Sequence, residues 1–299
     1  FRDAHHPLDL RYNQHWDHDG LAWWTQFGAH IWFDRDDFRA NYLALLRDWV
    51  KERRNSPSLV LWGLQNESQL PATFAAECTA LIRELDPTAR DQRLVTTCNG
   101  GEGTDWNVPQ NWTGTYGGDP LTYAADLRRQ SLVGEYGAWR SADLHSPDGA
   151  PSPVGYDEET FTALLETKVR LVESVRDHVA GHFQWLFSTH ENPGRSFGPK
   201  GEQLADGWSL LDRVGPANNK GLLTSWGEPL DAYYMYRSNF VSAVTQPMVV
   251  IAGSNWPDRV TSRAGQRVSG IIVYSNCDDV ELFNGPVALG RRTRAGVGT

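Results

Sequence analysis

The sequence predicts an α/β fold in which parallel strands alternate with helices around a (β/α)8 barrel, followed by a short all-β segment. Three observations predict it. Short apolar runs recur between longer amphipathic stretches, the repeat of βα units around a parallel sheet. The run Leu59-Val60-Leu61-Trp62 has no polar alternation, as expected of a strand covered on both faces. No glycine-rich phosphate loop opens any of the helices, which weighs against the competing doubly wound open sheet.

Taken in order, residues 1–4 and 21–25 read as strands. Asp34 is placed to cap a helix in which Phe38, Tyr42, Leu45, Leu46, Trp49 and Val50 recur at three- and four-residue spacing, and Asn55-Ser56-Pro57 stops it. Strand 59–64 follows and ends in Gln65-Asn66-Glu67. The next helix carries Phe74, Cys78, Leu81, Ile82 and Leu85 as its buried stripe and stops at Asp86-Pro87. Further strands are predicted at 94–98, 113–116, 132–135 and 181–185, with helices over 120–130 and 158–176. A last helix follows Pro229, with Ala232, Tyr233, Tyr236 and Phe240 on one face. This makes seven strands where a closed barrel needs eight. The expectation is that the first strand is the missing one, supplied by upstream residues of a longer polypeptide, and that residues 1–243 form the barrel domain. After Val244 the texture changes to β-branched runs at 248–251 and 271–274, then an alternating run before Asn284-Gly285. Residues 244–299 therefore read as a partial Ig-like β-sandwich.

Composition narrows the function classes. At 299 residues and 40% hydrophobic content the chain can bury a full core. A net charge of −9 without any Lys/Arg block excludes a nucleic-acid or anionic-membrane partner, and a neutral ligand fits better. No apolar run reaches the eighteen residues of a membrane span, and no signal-peptide pattern opens the chain; both ends read as cuts, so localisation stays open. Cys78, Cys98 and Cys277 lack metal-type spacing and indicate neither a disulfide framework nor a zinc site. Thirteen Trp, many beside polar loop residues, offer faces on which sugar rings stack.

In such a barrel the active site lies at the C-terminal ends of the strands. Two carboxylates stand there: Glu67 after strand 59–64 and Glu135 closing strand 132–135. Carboxyl groups facing each other across roughly 5 to 5.5 Å can cleave a glycosidic bond with retention, one attacking the anomeric carbon while the other protonates the leaving oxygen. Their environments must then split their proton affinities.

Arg54-Asn55-Ser56-Pro57-Ser58 followed by Leu61-Trp62-Gly63-Leu64-Gln65-Asn66-Glu67-Ser68 resembles the acid/base segment of glycoside hydrolase family 2. Val133-Gly134-Glu135-Tyr136-Gly137 resembles its nucleophile segment, Gly181-His182-Phe183-Gln184-Trp185 its last barrel strand, and Arg2-Asp3-Ala4-His5-His6-Pro7 its second. The stretch from Asn218-Asn219-Lys220 to Asp231-Ala232-Tyr233-Tyr234 resembles the approach to the final helix. Five segments in the family's order make the resemblance specific, and it extends to about Phe240.

The resemblance implies Glu67 as acid/base, Glu135 as nucleophile, and Asn66 bonding the sugar hydroxyl beside the anomeric carbon. It further implies Tyr116 orienting Glu135, Trp185 as the stacking floor, and His5 and His30 as further candidate contacts. Thr25-Gln26 and Gln65 depart from the family pattern and bear on specificity. Asn218 and Lys220 form an Asn-x-Lys pattern similar to the carboxylate-holding element of β-glucuronidases. The expected substrate is a terminal β-galactoside, with β-glucuronide the alternative and an inactive carbohydrate-binding homologue the rival class. No cofactor is implied; a divalent cation occurs in some relatives, but no ligands for one are assignable here. A homo-oligomer is compatible with the sequence.

Overall fold

The computed structural model describes residues 1–28, 34–137, 157–191, 217–218, 220–253, 261–263, 266–268 and 271–294. The chain divides into two compact units, one comprising Phe1–Asn111, Gln130–Glu135 and Ala180–Phe183, the other Trp112–Arg129, Tyr136–Val179 and Gln184–Thr299.

In the first unit β1 (Trp23–Gln26), β2 (Leu59–Asn66), β3 (Leu94–Cys98) and β4 (Trp106–Val108) form a parallel sheet in that order. The segment at residues 1–4 runs along β1 but pairs only at Arg2, which bridges Trp24 in parallel. β1 to β2 and β2 to β3 are joined by helical crossovers, as parallel strands require, and β3 to β4 by the short segment 99–105. The two crossovers are the helices α2 (Asp36–Arg53) and α3 (Ala72–Leu85), preceded by α1 (Leu10–Asp19). Both sheet faces are covered. On the outer face Trp23, Trp62, Leu64 and Val95 meet Leu46, Trp49 and Val50 of α2 and Phe74, Cys78 and Ile82 of α3. Burying each such aliphatic or aromatic side chain is worth about 1.5–3 kcal/mol. On the inner face Trp24, Cys98 and Val108 cluster with Leu132, and Phe183 meets the Trp24 ring edge-on at 5.6 Å. Trp23 and Trp24 thus face opposite sides of one strand, as the two-residue period demands.

The structure revises several sequence expectations. Helix α1 is largely polar, which is why the pattern of apolar residues passes over it. It is held instead by its ends, where the Asp9 carboxylate accepts from Arg11 N and Gly20 closes the helix at φ 72°. Asp34 does not cap α2, which begins at Asp36 after Arg35; the Asp34 carboxylate pairs with Arg39. The fifth predicted strand, 113–116, is a turn. Gly114 and Gly117 adopt φ of 83° and 118°, and Thr115 N and Tyr116 N both donate to Trp112 O. The ladder position next to β3 is taken by β4, eight residues upstream of the expected end.

In the second unit α4 (Tyr123–Gln130) follows a short 3-10 turn at 120–122, and α5 (Glu158–Glu173) is followed by a separate 3-10 turn at 176–178. β5 (Leu132–Gly137) and β6 (Gly181–Trp185) pair as a two-stranded sheet, and each passes from one unit to the other. The short strands β7 (His190–Glu191) and β8 (Ala217–Asn218) pair antiparallel. α6 (Asp231–Phe240) buries Ala232, Met235 and Ser238; Phe240, predicted to share a face with Ala232, is exposed.

Beyond α6 the strand pairings among the described residues are antiparallel. β9 (Val249–Ile251) pairs with β12 (Val273–Ser275), β10 (Thr261–Arg263) with β11 (Gln266–Val268), and β13 (Asp279–Asn284) with β14 (Val287–Thr293). In the last hairpin Asn284 pairs with Val287, so the turn proper is Gly285-Pro286, with Gly285 at φ 58°. Among the described residues no helix is long and apolar enough to cross a membrane.

Candidate active site

Glu135 ends the first unit's share of β5 and is 3% exposed. Its neighbour Gly134 must be glycine, because a Cβ there would collide with Cys98 Sγ on β3. That close approach brings the β5 backbone onto the inner cluster and sets Glu135 beside the strand-end residues of the parallel sheet.

The centre of the site is a residue to which the sequence reading gave no role. Arg2 Nη1 donates to Glu135 Oε1 and to Gly134 O, both at 2.8 Å, and Nη2 donates to Gln26 Oε1 (2.6 Å) and Asn66 Oδ1 (2.7 Å). The guanidinium lies 4.7 Å from the centroid of the Trp24 ring, a cation–π contact. Ion pair and acceptors are buried together, and four charge-assisted bonds from Nη1 and Nη2 offset part of the cost of removing both charges from water, while Nε has no partner among the described residues. Arg2 stands beside a predicted strand end in the sequence, but nothing local indicates that it reaches three other strands.

Because arginine only donates, the atoms facing it on Gln26 and Asn66 are the carbonyl oxygens. Asn66 Oδ1 also accepts from Gln110 Nε2 at 3.0 Å. The Asn66 amide nitrogen is therefore the atom left over, fully buried and without a hydrogen-bond partner among the described residues. Gln26 is fixed at its other end by donating to Gly28 O (3.0 Å).

Glu67 follows directly after β2 in a left-handed conformation, φ 48°, held by Glu67 N donating to Cys98 O at 2.9 Å. A non-glycine residue there is strained, the kind of strain that concentrates at functional sites. The carboxylate of Glu67 is exposed where that of Glu135 is buried. Both act on one thiol: burial pushes Cys98 up to about 12, and the charges of Glu135 and Glu67 add to it against Arg2. The two carboxylates thus sit in different environments, Glu135 buried against a fixed cation and Glu67 exposed.

His5 Nδ1 lies 3.8 Å from Glu135 Oε1, so His5 joins the cluster. Asp3 does as well: it is 2% exposed and its carboxylate accepts from Gln26 N (2.6 Å), Thr25 Oγ1 (3.2 Å) and Leu8 N (3.5 Å). Gln65, a departure from the family pattern, is buried, donating to Gly100 O (2.5 Å) and accepting from Leu70 N (3.3 Å).

Tyr116, Trp185, Asn218 and Lys220 belong to the second unit. Tyr116 sits in the 113–118 turn, not at a strand end, and is 63% exposed. Its hydroxyl accepts from Lys220 Nζ at 2.9 Å, and Lys220 is 5% exposed. Gly221 lets this segment approach the chain after β6 closely, since a Cβ would collide with Thr189 N and Leu223 O. Trp185, half-buried, ends β6. Asn218 pairs through its backbone with His190; its side chain and all of His30 lie outside the described residues. Among the described residues no three His, Cys, Asp or Glu side chains converge as a metal site.

The candidate site thus combines Glu135 on β5, buried and ion-paired to Arg2, with Glu67 after β2, exposed. Residues 2–111 match the family model described as "Glycosyl hydrolases family 2, TIM barrel domain". A β-glucuronidase of Bacteroides fragilis is 25% identical over 97% of the chain, which covers 42% of that relative. A Formosa agariphila relative is 26% identical over 98% of the chain, which covers 38% of it. The chain thus spans about two fifths of the length of the curated relatives it matches. The crystal structure of a Parabacteroides merdae β-glucuronidase superposes with TM-score 0.79 at 22% identity, over 99% of this chain and 39% of that one. Bacteroides uniformis β-glucuronidase 2, covalently bound to a cyclophellitol-6-carboxylate aziridine, superposes with TM-score 0.76 at 20% identity, over 99% and 37%.

Proposed function

We propose that the protein of which this chain is the barrel segment is a retaining, exo-acting β-glycosidase specific for β-glucuronides. The observation that carries the reaction is the Arg2 guanidinium, which bridges Glu135 to Asn66, the residue next to Glu67. Glu135 attacks the anomeric carbon, and Arg2 keeps its carboxylate ionised and oriented. Glu67 protonates the leaving oxygen and then activates water, for which its exposure suits it. The unused Asn66 amide nitrogen is a donor for the sugar hydroxyl beside the reacting carbon.

The substrate class shifts from the expected order. The names of the relatives favour β-glucuronide over β-galactoside, and Lys220 supplies the chemistry: an ammonium in the Asn-x-Lys element suits a uronate carboxylate. Chromogenic β-glucuronide and β-galactoside assayed side by side test this. Glucuronide is the expected substrate, and Lys220→Ala is expected to lose it by about 10²-fold or more. A 2-fluoro-glucuronyl fluoride is expected to label Glu135. Turnover of galactoside alone would return the assignment to the neutral sugar, and no label on Glu135 would remove the mechanism.

A further inference from the structure

The Asp3 site is built for an acceptor and nothing else. Gln26 N donates to Oδ1 and Leu8 N to Oδ2, and a backbone N–H cannot turn to accept. An amide at this position would place its own donor against one of them. Every donor to the carboxylate is neutral, and no ion pair reaches it among the described residues; the cation that acts on it, Arg53, spends its guanidinium on Glu52 and on Leu8 O. Burial pushes Asp3 up to about 6. The fold thus carries a costly charge one residue from Arg2, spent on fixing Thr25 and Gln26. Gln26 in turn is one of the four acceptors that set the Arg2 guanidinium.

We propose that Asp3 is a positioning residue, whose carboxylate fixes the end of β1 so that Gln26 holds Arg2 between Glu135 and Asn66. The inference rests on the glycosidase reading of Glu135. Asp3 touches no reacting atom; it acts through Gln26 and then Arg2, so its effect falls on the attack step and not on substrate affinity.

The test uses the full chain, with β-glucuronide turnover and the rate of Glu135 labelling by a 2-fluoro-glucuronyl fluoride as readouts. Asp3→Asn is expected to lower kcat and the labelling rate by about tenfold while KM moves less than about twofold. Gln26→Leu, which keeps the backbone bond to Asp3 but removes the acceptor for Arg2, is expected to do the same. The double variant is expected to be no slower than the slower single one, because both cut one link. Additive losses, or a rise in KM alone, would overturn the proposal. Should Asp3→Asn fail to fold, Thr25→Val removes one donor from the same carboxylate and is expected to slow labelling by about two- to threefold; an unchanged rate overturns the proposal equally. A wild-type chain that takes no label at Glu135 brings down the glycosidase reading and this proposal with it. A labelled wild type beside variants of equal rate brings down this proposal alone.

Discussion

At the residue scale, Asp3 links function to stability through its protonation. Its native value lies near 6 against 3.8 for an unperturbed aspartate, so the folded chain holds this proton more tightly than the unfolded one. A raised value means the group favours the fold fully below about pH 3.8 and loses that contribution as pH climbs to about 6. The difference is worth up to about 3 kcal/mol. Comparing urea midpoints of wild type and Asp3→Asn between pH 4 and pH 7 checks this. The gap between them is expected to shift in favour of the variant by a large part of that amount as pH rises. A pH-independent gap would mean that the carboxylate carries no such penalty.

At the level of elements, the crossing of β5 over β3 depends on one missing side chain. Gly134→Ala is expected to destabilise the fold by about 1–3 kcal/mol, since its methyl group must displace the buried Cys98 thiol. Adding Cys98→Ala is expected to restore part of the loss, measured as the thermal midpoint of the single and double variants. No recovery would mean that the thiol is not the obstacle. The same elements show what the sequence made legible. β2 and the first residues of β5 follow from apolar runs, whereas β6, found at its predicted bounds, alternates polar and apolar residues. β4 was displaced because its three residues, Trp106-Asn107-Val108, carry too little apolar length to stand out, whereas the aromatic stretch near Tyr116 has strand-like composition over a glycine-driven turn. Helix α1 was missed although Asp9 and Gly20 mark its ends, because its interior is largely polar. The two carboxylates could be read from position along strands; Arg2, Gln26 and Gln110 could not, since their roles exist only once three strands lie side by side.

On the scale of the whole molecule, the chain passes between its two units at 111/112, 129/130, 135/136, 179/180 and 183/184. The family model ends at residue 111, but the first unit does not. Residues 1–111 alone lack Leu132, Glu135 and Phe183, which leaves Arg2 without its buried carboxylate and Trp24 without its edge-on partner. That fragment is expected to melt without a cooperative transition and to bind a hydrophobic dye, followed by circular dichroism and dye fluorescence. A sharp transition would show that the parallel sheet suffices. The barrel and sandwich assignments at 1–243 and 244–299 remain our proposal for the parent protein's layout.

Strand β5 changes allegiance between two consecutive positions: Glu135 joins the arginine cluster, while Tyr136 meets Tyr123 and the hydroxyl of Tyr236. Pleating sends neighbours to opposite faces, so inserting or deleting one amino acid upstream would exchange their destinations, delivering a phenol to the guanidinium and an acid to the tyrosines. Spacing, more than the identity of any flanking side chain, is what this hexapeptide has to preserve.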